Sequence, residues 1–175
     1  MCLGRVPDCS PPIPLQVILQ LLQYVDVGTL MTAIRPASRA YASLVSIELR
    51  GRQKRLIHQF VHDTSQFIAR ILRDCHVVIG GSAALQYICP STPPPTDYDL
   101  YVPSKHANDV LEYLLIVEGY EVELDTTICT PTPRHASALL YNAVEYTAGT
   151  ARIVTLWRGE TKVDIIEEIL ALTIA

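Results

Sequence analysis

From position 15 onward the chain is patterned for helices. Leu15, Ile18, Leu19, Leu22 and Val25 recur at helical spacing and put one apolar stripe on a first helix. Asp26 is placed to cap a second, short helix through Leu30 and Ile34. Pro36 ends that helix and starts another at its first turn, carrying Tyr41, Leu44 and Val45. A longer helix is predicted from about Glu48 to Asp74, with Leu56, Ile57, Phe60, Val61, Phe67, Ile68, Ile71 and Leu72 on its apolar side. Its other face is basic near the start, through Arg50, Arg52, Lys54 and Arg55, and reads as a solvated helix face. His58 and His62 stand four apart on the same helix. No Glu follows in the protease arrangement and no third ligand is evident, so they read as solvated too.

The pattern changes at Cys75. His76 to Ile79 is a short β-branched run that ends at Gly80-Gly81, which predicts a buried strand and a tight turn. A short helix follows from Ser82 to Ile88. The segment Pro90 to Thr96 holds four prolines, which exclude helix and central strand. Asp97 to Val102 is a predicted strand, and Ser104 can cap a helix to about Glu118. Gly119 breaks that helix, and Tyr120 to Leu124 alternates as a strand. Thr126 to His135 reads as an exposed loop and Ala136 to Asn142 as a short helix. Arg152–Trp157 and Lys162–Ile166 look like paired strands across an Arg158-Gly159-Glu160 turn. The expected class is α+β: a helical N-terminal part, then a small α/β domain with a mixed sheet.

Composition narrows this picture only slightly. In 175 residues, 49% are hydrophobic and 18% charged, which suits a packed globular protein rather than a disordered one. The formal net charge of −4 announces no broad basic surface, so nucleic acid is not indicated as a partner. The five cysteines include no CxxC pair. They read as reduced thiols of an intracellular protein, cytoplasmic or nuclear, and not as a disulfide frame or a zinc site. Gln16, Gln20 and Gln23 interrupt the first apolar run, so it reads as neither a signal peptide nor a membrane span.

The chemistry concentrates around Asp97-Tyr98-Asp99. Residues two apart in a strand share a face, so the two carboxylates stand side by side and repel. A cation relieves that repulsion, and Mg²⁺ prefers carboxylate and phosphate oxygens. Asp164 sits within the apolar run Val163-Asp164-Ile165-Ile166, where a charge needs a partner. It is the expected third ligand. Lys162, two residues away on the same face, can neutralise Asp164 or meet a phosphate. Gly80 and Gly81 allow close approach of a ligand, the following helix points free N–H groups at an anion, and Ser82 adds a hydroxyl. Tyr98 faces away from the carboxylates and is expected to pack. Tyr101 shares their face and could stack on a base.

Together these pieces resemble the nucleotidyltransferase superfamily, the polymerase-β-like fold. Its signature is an apolar strand, Gly-Gly or Gly-Ser, a short helix, then Asp-x-Asp, with a third acid on a later strand. Here that reads Val78-Ile79-Gly80-Gly81-Ser82, Asp97-Tyr98-Asp99-Leu100-Tyr101-Val102 and Lys162-Val163-Asp164, about half the chain. The resemblance implies that Asp97 and Asp99 bind Mg²⁺, that Asp164 completes the catalytic site, and that Gly81 and Ser82 hold the phosphates of a nucleoside triphosphate. The gap from Ser82 to Asp97 is long for the family. The chain also stops soon after Asp164, where family members carry further helices. A C-terminally incomplete domain or an inactive relative is therefore expected.

The segment Pro12 to Val45 resembles an F-box, through Pro14, Ile18, Leu22, Tyr24, Asp26, Leu30, Ser38, Arg39 and Tyr41. Pro36 and Tyr41 depart from the usual pattern, Tyr41 standing where Trp is common. This resemblance implies docking onto the Skp-type adaptor of cullin ubiquitin ligases. The combination of the two segments is reminiscent of uncharacterised fungal proteins. The expected organisation is an F-box-like module over 11–50, a connecting helix over 51–75 and a nucleotidyltransferase-like domain over 76–175. Two functions compete: Mg²⁺-dependent transfer of a nucleoside monophosphate to a hydroxyl, and a non-catalytic adaptor whose α/β domain is inert.

Overall fold

The computed structural model of the chain describes residues 13–126 and 150–168. A helical N-terminal part precedes a five-stranded mixed sheet, so the class is α+β. Helix α1 is Leu15–Leu22. Helix α2 starts at Val27–Thr29 and continues with a wider winding over Leu30–Ile34. Asp26 caps it, accepting from the Thr29 backbone N–H at 2.8 Å and the Thr29 hydroxyl at 2.7 Å. Pro36 lies in a tight turn, Arg35–Ala37, and does not open the next helix. Ser38 does so instead, accepting from the Tyr41 N–H at 3.2 Å at the start of α3, Arg39–His58. Leu22, Leu30 and Val45 form the small core of this part, with Ile18, Val25 and Leu44 packed against it.

The single helix expected from Glu48 to Asp74 is two helices. The first, α3, runs through position 48 without interruption and ends at His58. The second, α4, begins at Thr64–Gln66, capped by Asp63, and continues over Phe67–Asp74. The break contains no glycine or proline, so its cause is tertiary. The Phe60 carbonyl accepts from the Tyr120 hydroxyl at 2.6 Å and from Arg158 Nη2 at 3.0 Å. The His62 N–H donates to buried Glu118 at 2.7 Å. Backbone groups released from the helix are thus satisfied elsewhere, and Phe60 and Val61 turn fully into the core. His58 and His62 consequently do not share a helix. His62 Nδ1 lies 3.0 Å from Glu118, which itself pairs with Arg158 at 3.1 Å.

Of the basic run, Arg50, Lys54 and Arg55 are exposed as expected, but Arg52 is not. Arg52 is buried, pairs with buried Glu48 at 3.0 Å, and donates to the carbonyls of Leu22 (2.7 Å) and Val25, with Tyr87 at 3.4 Å. The end of a helix leaves carbonyls without intrahelical donors. Arg52 supplies donors to α1 and its exit turn, and ties the helical part to the α/β part through Tyr87.

Strand β1 is only Val78–Ile79, because His76 adopts a left-handed φ of 55° and cannot begin a strand. It is followed by α5, Gly81–Ile88, and β2, Asp97–Pro103. A tight turn, Ser104–His106, precedes α6, Ala107–Glu112, which continues over Tyr113–Val117. The remaining strands are β3 (Glu121–Asp125), β4 (Thr150–Arg158) and β5 (Thr161–Glu168). The sheet order is β1-β2-β5-β4-β3; β2 and β5 are parallel and the other pairs antiparallel. The expected hairpin of β4 and β5 is present, with Gly159 at φ 61° in its turn. The loop expected over 126–135, apart from Thr126, and the helix over 136–142 lie outside the described residues.

One face of the sheet carries the main core. Tyr98, Leu100 and Val102 of β2, Val163 and Ile165 of β5, and Val154 and Leu156 of β4 pack against Phe60, Phe67, Ile71, Val110 and Leu114. Burial alternates strictly along β2, so its odd positions share the opposite face. Fully burying side chains of this size stabilises the fold by roughly 1.5–3 kcal/mol each. That investment fixes the register on which the second face depends. Among the described residues, no helix is long and apolar enough to cross a membrane.

Candidate active site

The site lies on the sheet face opposite the main core. In-register pairing of β2 with β5 sets Asp99 beside Asp164 and Asp97 beside Lys162. A one-residue slip would bury these charges in the apolar core, so the alternation that places Leu100 and Val163 inside also holds the acids outside. One carboxylate oxygen from each of Asp97, Asp99 and Asp164 lies within 4.8 Å of the others. Lys162 Nζ meets Asp164 Oδ2 at 2.7 Å. Asp164 Oδ1 is fully shielded and is the buried side-chain polar atom among the described residues that has no hydrogen-bond partner.

The turn after β1 closes over these acids. The Gly80 N–H donates to the Asp99 carbonyl at 2.9 Å. Gly81 has φ 57°, and a Cβ there would stand 2.0 Å from Asp99 Oδ2. Both the backbone angle and the missing side chain are therefore required. The first turn of α5 presents N–H groups without intrahelical acceptors beside the cluster. The Ser82 hydroxyl, read as a donor to a phosphate, lies 3.3 Å from Asp97 Oδ1 and 3.4 Å from the Asp97 carbonyl. Tyr101, which could stack on a base, fits under Gly80, where an added Cβ would lie 2.3 Å from its ring. Tyr98 packs as expected: it is buried, its ring is 4.5 Å from Phe60, and its hydroxyl donates to Gln59 at 2.8 Å.

Electrostatics follow from this crowding. Burial, then the carboxylates of Asp97 and Asp164, push Asp99 above the ordinary aspartate range, and Lys162 only partly opposes them. For Lys162, burial acts to lower its pKa, but the hydrogen bond to Asp164 and the charges of Asp164, Asp97 and Asp99 prevail and raise it. One lysine against three carboxylates leaves the cluster short of positive charge. The donors are all hard oxygens, which fits Mg²⁺ and its octahedral shell.

Pairing extends the face to residues that sequence reasoning did not single out. Thr155 of β4 is the register partner of Asp164, and Trp157 is the partner of Lys162. Thr155 is buried, whereas Trp157 is partly exposed with its indole N–H donating to Glu123. The signal for both was their parity along β4, but it becomes usable only once the β4–β5 register is known. In comparisons with known proteins, no family model, curated protein or solved structure matches this chain.

Proposed function

We propose that this chain is a nucleotidyltransferase-fold protein that binds a nucleoside triphosphate with Mg²⁺ and transfers the nucleoside monophosphate to a hydroxyl acceptor. The observation that carries the reading is the convergence of Asp97, Asp99 and Asp164, with one oxygen of Asp164 buried and unpartnered. Unlike the buried charges of the fold, this half-buried cluster is balanced only if a cation joins it. Asp97, Asp99 and Asp164 would hold Mg²⁺, which supplies neutralisation of the α-phosphate and of the leaving pyrophosphate. Gly81 and the first turn of α5 give backbone donors to the phosphates, and Lys162 adds positive charge beside them. The acceptor oxygen bonds to the α-phosphorus, the bond to the β-phosphate bridging oxygen breaks, and pyrophosphate carries off the electron pair while the acceptor proton passes to solvent.

Trp157, the chain's single tryptophan, is the natural reporter. Each of the four nucleoside triphosphates is titrated with and without Mg²⁺, by calorimetry and by Trp157 fluorescence, on the wild type and on Asp97→Ala/Asp99→Ala. Binding that requires Mg²⁺ and vanishes in the double variant supports the reading. A folded chain that binds no nucleoside triphosphate in either condition overturns it.

A second reading is favoured by the helical part. Val17 and Leu21 share a face of α1, and Tyr24 follows just past its end; Leu21 is 59% exposed and Tyr24 82%. An apolar face left in water fits docking on a Skp-type adaptor, as the F-box resemblance of 11–50 implies. Co-purification with that adaptor, lost in Val17→Glu/Leu21→Glu, supports it. No complex with the wild type removes it. Adaptor binding together with no nucleotide binding would leave the α/β domain as an inert presenting surface.

A further inference from the structure

A second cluster of ligating atoms, different in chemistry, lies where α4 ends and α6 begins. Cys75 Sγ, a ring nitrogen of His106 and a carboxylate oxygen of Asp109 lie within 4.8 Å of one another. Cys75 closes α4, while His106 and Asp109 stand three residues apart at the start of α6, with Nδ1 and Oδ2 at 3.4 Å. They line a cleft of about 490 Å³ to which Asp74 and Glu112 also contribute. His76 lies beside them, its ring centroid 6.4 Å from that of His106.

We propose that Cys75, His106 and Asp109 form a zinc site, with His76 as its fourth ligand. Thiolate, imidazole and carboxylate are the donor set of zinc, whereas the Asp97 cluster offers oxygens alone. Zinc bonds of about 2.0–2.3 Å place tetrahedral donors ~3–4 Å apart, and the Cys75, His106 and Asp109 atoms already lie within 4.8 Å of one another. The competitor for the sulfur is the Arg70 carbonyl, to which Cys75 Sγ donates at 3.3 Å. Zinc binding would release the Cys75 thiol proton to solvent. The spacing of cysteines in the sequence argued against zinc because it contains no CxxC pair; the fold assembles the donors from separate elements instead. Such an ion would staple the end of α4, at Cys75, to the start of α6, apart from the Asp97 cluster.

The full chain, stripped with chelator, is titrated with Co²⁺ alone and then with Zn²⁺ alone. The expected result is one thiolate-coordinated equivalent, seen as a sulfur-to-cobalt charge-transfer band in the near ultraviolet that Zn²⁺ bleaches. Cys75→Ser abolishes the band. His106→Gln weakens affinity by more than ~100-fold, since even outer partners of a zinc site are worth ~10–100-fold. Cys89→Ser and Asp164→Asn leave the band intact, because any cobalt on the carboxylate cluster has no sulfur ligand. The proposal is overturned by a band that survives in Cys75→Ser, by cobalt bound without a band, or by no binding to the folded wild type. Should Cys75→Ser not fold, unchanged affinity in both His106→Gln and Asp109→Asn overturns it equally.

Discussion

Two kinds of charge cluster coexist in this molecule, one buried and one half-buried. Around α3, Glu48 is matched by Arg52 and Arg55, and Arg52 spends its remaining donors on backbone carbonyls. Around the break between α3 and α4, Glu118 receives Arg158, the His62 N–H and the Tyr113 hydroxyl. On the sheet face, Asp97, Asp99 and Asp164 share Lys162, and one oxygen stays unpartnered. The first kind is complete and holds elements together. The second is incomplete, and in the proposed function a cation completes it. Partner count, rather than burial, separates structural charge from a site.

The largest expected effect tests the complete kind. Removing one member of a buried, hydrogen-bonded pair costs about 3–5 kcal/mol. Arg52→Ala should lower the unfolding free energy in urea by that amount, as α1 loses its carbonyl donors. Asp164→Asn should change stability by less than ~1 kcal/mol while abolishing Mg²⁺ affinity, because it relieves like-charge repulsion. Equal losses in the two variants would erase the distinction.

The next effect is at the turn. Gly81→Ala imposes a side chain on a left-handed backbone at a cost of about 1–3 kcal/mol, and pushes against the Asp99 carboxylate. Stability by chemical denaturation and Mg²⁺ binding by calorimetry should fall together. A stability loss with intact Mg²⁺ binding would separate the glycine turn from the carboxylate site.

How far the sequence reached follows the same division. The Asp97/Asp99 pair was legible because strand parity is local, and Asp164 because a charge inside an apolar run stands out. The hairpin of β4 and β5 was legible from its turn. Arg52 was not, since a buried arginine within a basic run differs from its neighbours only by what it touches. The break after His58 was equally hidden: Gln59-Phe60-Val61-His62-Asp63 continues a helical pattern, and the groups that stop it, Arg158, Glu118 and Tyr120, come from the far end of the domain. For Ser82 and Tyr101 the side was legible but not the contacts with Asp97 and Gly80, because spacing fixes a face and not a rotamer.

A smaller effect is expected beneath the site. Tyr98→Phe removes the hydrogen bond to Gln59 and should cost about 1 kcal/mol in urea unfolding with Mg²⁺ affinity unchanged. A loss of Mg²⁺ affinity would mean that the core face and the site face are not independent.

The smallest effect is a pH dependence, and it bears directly on the incomplete cluster. Asp99 is held above its ordinary value by burial and by Asp97 and Asp164. The folded state therefore binds its proton more tightly than the unfolded chain does. The resulting stabilisation is full below the ordinary aspartate value and is lost as pH rises through the raised one. Compared with Asp99→Asn, which cannot titrate, the wild type should thus lose stability from acid toward neutral pH in Mg²⁺-free buffer. Saturating Mg²⁺ favours the charged form and should flatten or reverse that slope. A wild type that gains stability over Asp99→Asn as pH rises without Mg²⁺ would place Asp99 among the satisfied charges and leave the cluster with no call on a cation.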